Sequence, residues 1–266
     1  MATAYHRVLC REIVVTSANN TIIFREDGGV TDRTATIAAG TYYLIGANLS
    51  GDILNAIINA MDAGTGVAAG YGVNASGPLT TTPYIGWTIS TVSTSFAFMS
   101  SGTTFPLADI GWDSADSGTF AATYSYTSST VTQTAVYSPG VISSVQDPAG
   151  RTSDGDYLYT RPDGSHVSVQ TTSSYRRWPL LWEYVSAGMS LERHEATLEH
   201  SYEAFWDASR HKRMRIYEGV VSGAVWTPTL VAEGYLDEGT RREMTLERDS
   251  DVPSFRVEGT LREDMT

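Results

Sequence analysis

The sequence predicts a mainly β protein of two β-sandwich-like domains, each with one amphipathic helix packed against its sheets. Glycine (24) and tyrosine (15) are abundant, while charged residues make up only 18% of the 266 positions. Such a composition is typical of strands joined by many turns. Short apolar segments recur between turn-forming residues, and only two stretches have the 3.6-residue period of a helix. The length allows one large or two small domains.

The first predicted domain spans residues 1–140 and consists of strands around one helix. Ala18-Asn19-Asn20 is a turn-forming link, so the two strands it joins are expected to pair as a hairpin. The strands of this domain are predicted at 12–17, 21–26, 34–40, 70–76, 84–91, 95–99, 119–128 and 132–139.

A helix is predicted at about 51–63. Ser50 is the expected N-cap, Asp52 lies in the first turn, where the helix dipole favours an acid, and Gly64 is the expected stop. The polar face carries no acid–base pair, so we expect the helix to hold the sheet together rather than to catalyse. Its apolar stripe is Leu54, Ile57, Ile58 and Met61.

The second predicted domain spans residues 141–266. Residues 138–156 are rich in Gly, Ser, Pro and Asp and predict a linker or long loop. A helix is predicted at about 190–210. Pro179 indicates an edge or bulge within its strand, and Gly259 a possible bulge. The strands are predicted at 156–161, 165–172, 174–186, 213–219, 227–236, 240–248 and 254–263, the first two joined as a hairpin.

Charge, cysteine content and hydropathy make several classes of protein less expected, among them nucleic-acid-binding, disulfide-bonded and membrane-spanning proteins. The net charge of −12 disfavours bulk attraction to nucleic acid phosphates. Nearly all basic residues are arginine, the side chain preferred at interfaces, and Lys212 is the only lysine. Cys10 stands alone, which excludes an internal disulfide and favours a buried apolar role. No apolar run is long enough for a membrane span, and no secretory signal is recognisable.

No motif predicts a catalytic, cofactor or metal site. His194 and His200 in "HEATLEH" are six residues apart, whereas a zinc protease helix needs histidines four apart. Acidic residues around Asp154-Gly155-Asp156, and at Asp147, Asp163, Asp249 and Asp251, lack the spacing of a calcium loop. The chain is therefore expected not to be an enzyme, although carboxylates paired only in space would escape this test.

The one dense basic run is "SRHKRMR" at 209–215. Its arginines and lysine can complement the C-terminal dipole of the preceding helix, or they can form a patch that faces phosphate. Complementing the dipole is the preferred interpretation and, given the acidic background, local protein–protein pairing is expected before binding to nucleic acid.

Two groups of segments resemble structural proteins of tailed bacteriophages. In the first half they are "TATIAAGTYYL", "ILNAIINAM", "YGVN", "WTIST", "SFAFM" and "FPLADIGWD", where Ile110-Gly111-Trp112 replaces the usual Leu-Gly-Phe. In the second half "RRWPLLWEYVS", "LERHEATLEHSYEAFWDASR" and "RMRIYE" are similar to tail and baseplate proteins. The resemblance transfers no catalytic residue.

The resemblance implies a virion component of the tail, baseplate or neck, made in the host cytoplasm and assembled as a homo-oligomeric ring. Its expected partners are copies of itself and other virion structural proteins, without direct binding to nucleic acid and without a cofactor. A carbohydrate- or receptor-binding module is the main alternative, and a glycan-cleaving enzyme is a third. The interface candidates are Trp178, Trp182, Trp206, Trp226, Arg210 and Arg213.

Overall fold

The computed structural model is mainly β, as the sequence predicts, with two α-helices and one 3-10 helix in its described part. It describes residues 4–26, 31–45, 51–66, 86–89, 95–110, 120–121, 124–127, 135–137, 151–153, 157–160, 166–169, 174–185, 202–222, 225–237, 242–246 and 254–264. The helices are α1 (Ile53–Gly64) and α2 (Tyr202–Ser209), and the 3-10 turn is Leu107–Ile110. The strands are β1 (Ala4–Val15), β2 (Thr21–Glu26), β3 (Arg33–Thr36), β4 (Gly40–Tyr43), β5 (Gly86–Ile89), β6 (Ser95–Met99), β7 (Phe120–Ala121), β8 (Tyr124–Thr127), β9 (Val136–Tyr137), β10 (Arg151–Ser153), β11 (Tyr157–Thr160), β12 (His166–Val169), β13 (Ser174–Val185), β14 (Met214–Ser222), β15 (Val225–Leu236), β16 (Arg242–Leu246) and β17 (Ser254–Asp264).

The strands form one large antiparallel sheet and three smaller ones. The large sheet has nine strands in the order β10-β13-β17-β15-β14-β1-β4, with β16 beside β17 and β9 beside β1. A four-stranded sheet has the order β3-β2-β6-β7, and the pairs β11-β12 and β5-β8 complete the set. The nine-stranded sheet thus takes strands from both halves of the chain.

The long strand β1 joins the two hydrophobic cores. Its first part pairs with β14 from Ala4 to Arg11, and its last four residues pair with β4. Val8 and Cys10 lie in one core, while Leu9 between them lies in the other. Successive side chains of a strand point to opposite faces, so β1 is buried on both sides from Arg7 to Arg11.

The first core lies where α1 and the four-stranded sheet meet β1 and β4. Phe24 of β2 and Phe98 of β6 are register partners within it, and both are buried. The buried face of α1 is Ile53, Leu54, Ile57, Ala60 and Met61. The predicted stripe is therefore confirmed, except that Ile58 is only half-buried and packs at the margin.

The second core lies inside a curled part of the nine-stranded sheet, closed by α2. Tyr137 of β9 meets Trp182 of β13 edge to face, with ring centroids 5.1 Å apart. Arg7 of β1 donates from Nη1 to the Pro179 carbonyl of β13 at 3.3 Å. Three strands separate β1 from β13 in the sheet order, so these contacts require the sheet to curl around the core. The helix α2 adds Tyr202, Phe205 and Trp206.

The predicted hairpin between the first two strands is wrong. The strand β1 pairs with β14, β4 and β9, whereas β2 pairs with β3 and β6 in the four-stranded sheet. Asn19 accepts from the Thr16 backbone N–H at 2.7 Å and closes a turn that carries the chain from one sheet to the other. The strand predicted at 34–40 likewise divides into β3 and β4, one in each sheet.

The N-cap of α1 is Asp52, not the predicted Ser50, which lies outside the described residues. Asp52 Oδ1 accepts from the Leu54 N–H at 2.7 Å, and its Oδ2 accepts from the Ile45 N–H at 2.8 Å. One buried carboxylate therefore caps the helix and also accepts a hydrogen bond from the Ile45 N–H, in the segment before the helix. A single serine hydroxyl could not do both.

We expect Asp52→Ala to lower the free energy of unfolding by about 2 kcal/mol or more, because a cap is lost and a buried N–H is left unpaired. Urea denaturation measures this change. Asp52→Asn keeps an acceptor oxygen at the cap and should recover part of the loss. Equal stability of the alanine variant and the unmodified protein would contradict the assignment.

Two glycines are required by close packing. A Cβ on Gly64 would lie 2.2 Å from the Thr34 carbonyl oxygen, so the helix ends there against β3. A Cβ on Gly259 would lie 2.4 Å from the Tyr202 hydroxyl. The bulge predicted at Gly259 is wrong: the pairing with β13 is continuous there, and Phe255, Val257, Gly259 and Leu261 are all buried in alternation. The register shift lies instead between Trp182 and Val185.

Several further predictions are confirmed. Strand 21–26 and strand 95–99 have the predicted bounds, and β11 pairs with β12 as a hairpin. On the side of β13 away from β17, described pairing covers only Ser174–Arg176, so Pro179 lies on an edge within the described chain. The linker or loop predicted at 138–156 is wrong at Arg151–Ser153, which form β10 and pair with β13. Residues 138–150 and 154–156 lie outside the described residues.

Candidate functional site

The four tryptophans proposed as interface anchors lie in different environments. Trp182 is fully buried and Trp206 nearly so, and both belong to the second core. Trp178 is half-buried and donates from Nε1 to Glu263 Oε2 at 2.7 Å. The backbone of Trp226 lies in β15, and its side chain is outside the described part. Burial makes Trp182 and Trp206 core residues of the single chain, and leaves Trp178 and Trp226 as the anchors to test first.

The arginines of the basic run 209–215 pair with carboxylates of the same chain. Arg210 lies 3.4 Å from Asp207 of the preceding turn. Arg213 and Arg215 approach the two carboxylate oxygens of Glu233 on β15, at 3.0 and 2.7 Å. The three arginines thus have carboxylate partners within the described chain itself.

Arg215 also covers an aromatic pair on the face of the sheet that carries the first core. Its guanidinium carbon lies 4.0 Å from the Tyr43 ring centroid, and its Nη1 lies 3.4 Å from the Tyr217 hydroxyl. Burial raises the pKa of Tyr43 to about 12, although Arg215 opposes the shift. Burial likewise raises the pKa of Tyr217. Both phenols are therefore neutral near pH 7, and the cluster is a packed cation–π contact.

The turn after α2 has an unusual backbone. His211 has φ of 60°, and it is the one non-glycine residue with positive φ in the described part of the chain. Lys212 N–H bonds the Ser209 carbonyl at 3.0 Å and closes the turn. Glycine is the usual residue at such a position, so histidine here carries a conformational cost.

This turn forms one wall of a cavity of about 260 Å³ between the end of α2 and the end of β15. Trp206, Tyr235 and Leu236 contribute the apolar and aromatic surface. Arg210 and His211 contribute polar groups, and Ser209 completes the lining. The cavity therefore combines two aromatic side chains, an imidazole and a cation.

A second, shallower cavity of about 560 Å³ lies along the polar face of α1. Tyr42, Asn55 and Asn59 line it together with Asp52. Asp52 is committed to the helix cap, and the Tyr42 hydroxyl donates to the Ala38 carbonyl at 2.9 Å. The groups that could do chemistry in this groove are thus engaged in holding the fold.

Cys10 is fully buried, as the sequence predicts, and its thiol donates to the Leu44 carbonyl at 3.2 Å. Burial strongly raises the pKa of the thiol, and Asp52 adds to the effect while Arg215 opposes it. A thiol that stays protonated is a poor nucleophile.

We expect native protein at pH 8 to resist alkylation of Cys10 by iodoacetamide, and the same protein in denaturant to react completely. Mass spectrometry counts the added groups. The unfolded thiol ionises above its ordinary pKa of 9.0 while the folded one stays protonated, so this group's contribution to stability is full below pH 9 and falls as pH rises. Rapid alkylation of the folded protein would contradict the buried assignment.

The described ranges contain no group of three or more His, Cys, Asp or Glu that could hold a metal. No described helix is long and apolar enough to cross a membrane. His194 and His200, with the acidic residues at 147, 154, 156, 163, 249 and 251, lie outside the described residues, as do strand 70–76 and the predicted helix start at 190–201.

The 260 Å³ cavity brings together two residues named from the sequence, Trp206 and Arg210. It also adds Tyr235 and Leu236 of β15, which sequence reasoning missed because no local pattern links them to α2. Comparison of the chain with protein-family models, with curated proteins and with solved structures found no match.

Proposed function

We propose that the protein is a non-enzymatic structural component of a phage particle, in the tail, baseplate or neck, assembling as a homo-oligomeric ring. The phage assignment rests on the resemblance of the quoted segments. The oligomeric part rests on one structural observation, the open strand edge described next.

The strand β15 is the outer strand of a ribbon that it forms with β14 and β1. On the outer side of β15, described pairing with β17 is confined to Gly234–Leu236, so 225–233 has no partner there among the described strands. Open strand edges of this kind are templates for pairing with another chain.

A ring follows if one copy's β15 edge pairs with a different edge of the next copy. Such contacts between unlike surfaces close into a ring when the rotation between copies permits. Leu230 supports this location, because it is 45% exposed on β15 next to the open edge. The partners in this proposal are further copies and other virion proteins, without direct nucleic acid binding.

The two cores support a finer proposal about the fold. Each holds one helix, and the first is built almost wholly from residues before 140 and the second almost wholly from residues after it. We propose two sandwich-like units with a boundary near residue 140, to both of which β1 contributes.

The edge is tested with Leu230→Lys, since an edge lysine disfavours strand addition. We expect the association constant measured by analytical ultracentrifugation to fall by roughly tenfold or more. Val14→Lys is the matched control, because Val14 is 49% exposed but lies where β1 pairs with β4. Oligomers unaffected by the lysine at 230, or weakened equally by both changes, would contradict the edge assignment.

A further inference from the structure

The cavity between α2 and β15 has the composition of a binding site rather than of a packing defect. Apolar voids in proteins are lined by aliphatic and aromatic groups alone. This cavity instead gathers Arg210 and His211 against the aromatic side chains of Trp206 and Tyr235. Pockets for small molecules show this pattern of an apolar wall with a few convergent polar groups.

His211 supplies an observation that points to a ligand. Its φ of 60° is a conformation that glycine would adopt without strain. The chain nevertheless places an imidazole here, at the wall of the cavity. A function for this side chain would explain why the strain is retained.

Arg210 is the cation among the described residues that line the cavity. Its contact with Asp207 is 3.4 Å long, and both side chains are about half exposed. Surface pairs of this kind contribute little, so the guanidinium can turn to a ligand at small cost. Arg213, by contrast, is held at 3.0 Å from Glu233.

We propose that this cavity binds a single carboxylate-bearing sugar ring. The apolar face of the ring packs on Tyr235 and on the exposed edge of Trp206, a hydroxyl bonds His211, and the carboxylate pairs with Arg210. A volume of about 260 Å³ lies just under the range of roughly 300–1,000 Å³ that drug-sized ligands occupy, which suits one ring. This inference goes beyond the proposed assembly function and does not depend on it.

Calorimetric titration of the full chain with glucuronate, glucose and acetate tests the proposal. We expect glucuronate to bind, and glucose and acetate each to bind more weakly by a factor of roughly ten or more. Glucose lacks the carboxylate, and acetate lacks the sugar ring. No heat of binding with glucuronate, or equal affinity for acetate, would overturn the proposal.

Variants locate the site. Arg210→Met is expected to weaken glucuronate binding by roughly tenfold or more, and Arg213→Met, the matched control from the same basic run, to leave it unchanged. His211→Gly should raise the melting temperature and weaken binding, whereas a turn with only a structural role would gain stability with no change in binding. Equal binding by the Arg210 and Arg213 variants would overturn the proposal.

Discussion

Replacing Glu218 with glutamine is expected to lower the free energy of unfolding by about 3–5 kcal/mol, the range for breaking a buried ion pair. Arg7 and Glu218 are register partners on β1 and β14, and both side chains are almost fully buried. The Arg7 guanidinium binds the carboxylate and also donates to the Pro179 carbonyl of β13. Glutamine would leave a buried cation without its counter-charge at the point where the curled sheet closes.

The exposed pair Arg25–Asp32 provides a matched control. It has a similar contact, 2.5 Å from Arg25 Nε to Asp32 Oδ1, but both side chains are substantially solvent-exposed. Asp32→Asn is therefore expected to cost less than about 1 kcal/mol. The double variant Arg7→Met/Glu218→Leu removes both charges and should recover most of the loss. If urea denaturation gave equal costs for Glu218→Gln and Asp32→Asn, the buried pair would not hold the sheet closed.

Replacing Trp182 with alanine is expected to lower the free energy of unfolding by about 3–5 kcal/mol, because it leaves a cavity at the centre of the second core. Trp182 is 0% exposed, and its ring lies 5.1 Å from that of Tyr137 and 5.8 Å from that of Tyr202. These contacts join β13, β9 and α2, so their loss loosens all three elements. Trp182→Phe keeps most of the volume and should cost much less.

Trp178→Ala distinguishes a core from an interface tryptophan. Trp178 is half-buried, so its loss should lower stability less than that of Trp182, and an interface role would appear as weaker assembly of a folded chain. Thermal unfolding and sedimentation, measured on both variants, separate these effects. A Trp182→Ala protein that kept full stability but failed to assemble would show that Trp182 is an interface anchor after all.

Local patterns in the sequence predicted the elements well. The strand at 21–26 alternates half-buried and buried residues along its whole length, so its period was visible without knowledge of its neighbours. The apolar face of α1 was equally visible. Its cap was not, because Asp52 was identified only as a first-turn acid and its bond to Ile45 depends on the path of the preceding chain.

Pairings between distant segments escaped prediction. The turn at Ala18-Asn19-Asn20 suits a hairpin between β1 and β2. Instead β1 pairs with β14, which is distant in sequence, over eight residue pairs. The alternation of apolar residues breaks at Gly259, which suggested a bulge. In the structure Gly259 continues the buried face, and the Tyr202 side chain occupies the space where a Cβ would lie. The same limit applies to the candidate cavity. Trp206 and Arg210 were named from the sequence, whereas Tyr235 lies beside them only because β15 packs near the end of α2 in the folded chain.

The central claim, a ring-forming structural protein, is tested most directly by the mass of the purified, unmodified chain in solution, with negative-stain images of the same sample. The account predicts a closed oligomer with a mass several times that of the 28.8 kDa chain, and ring-shaped particles in the images. A chain that stays strictly monomeric at all concentrations tested would contradict it.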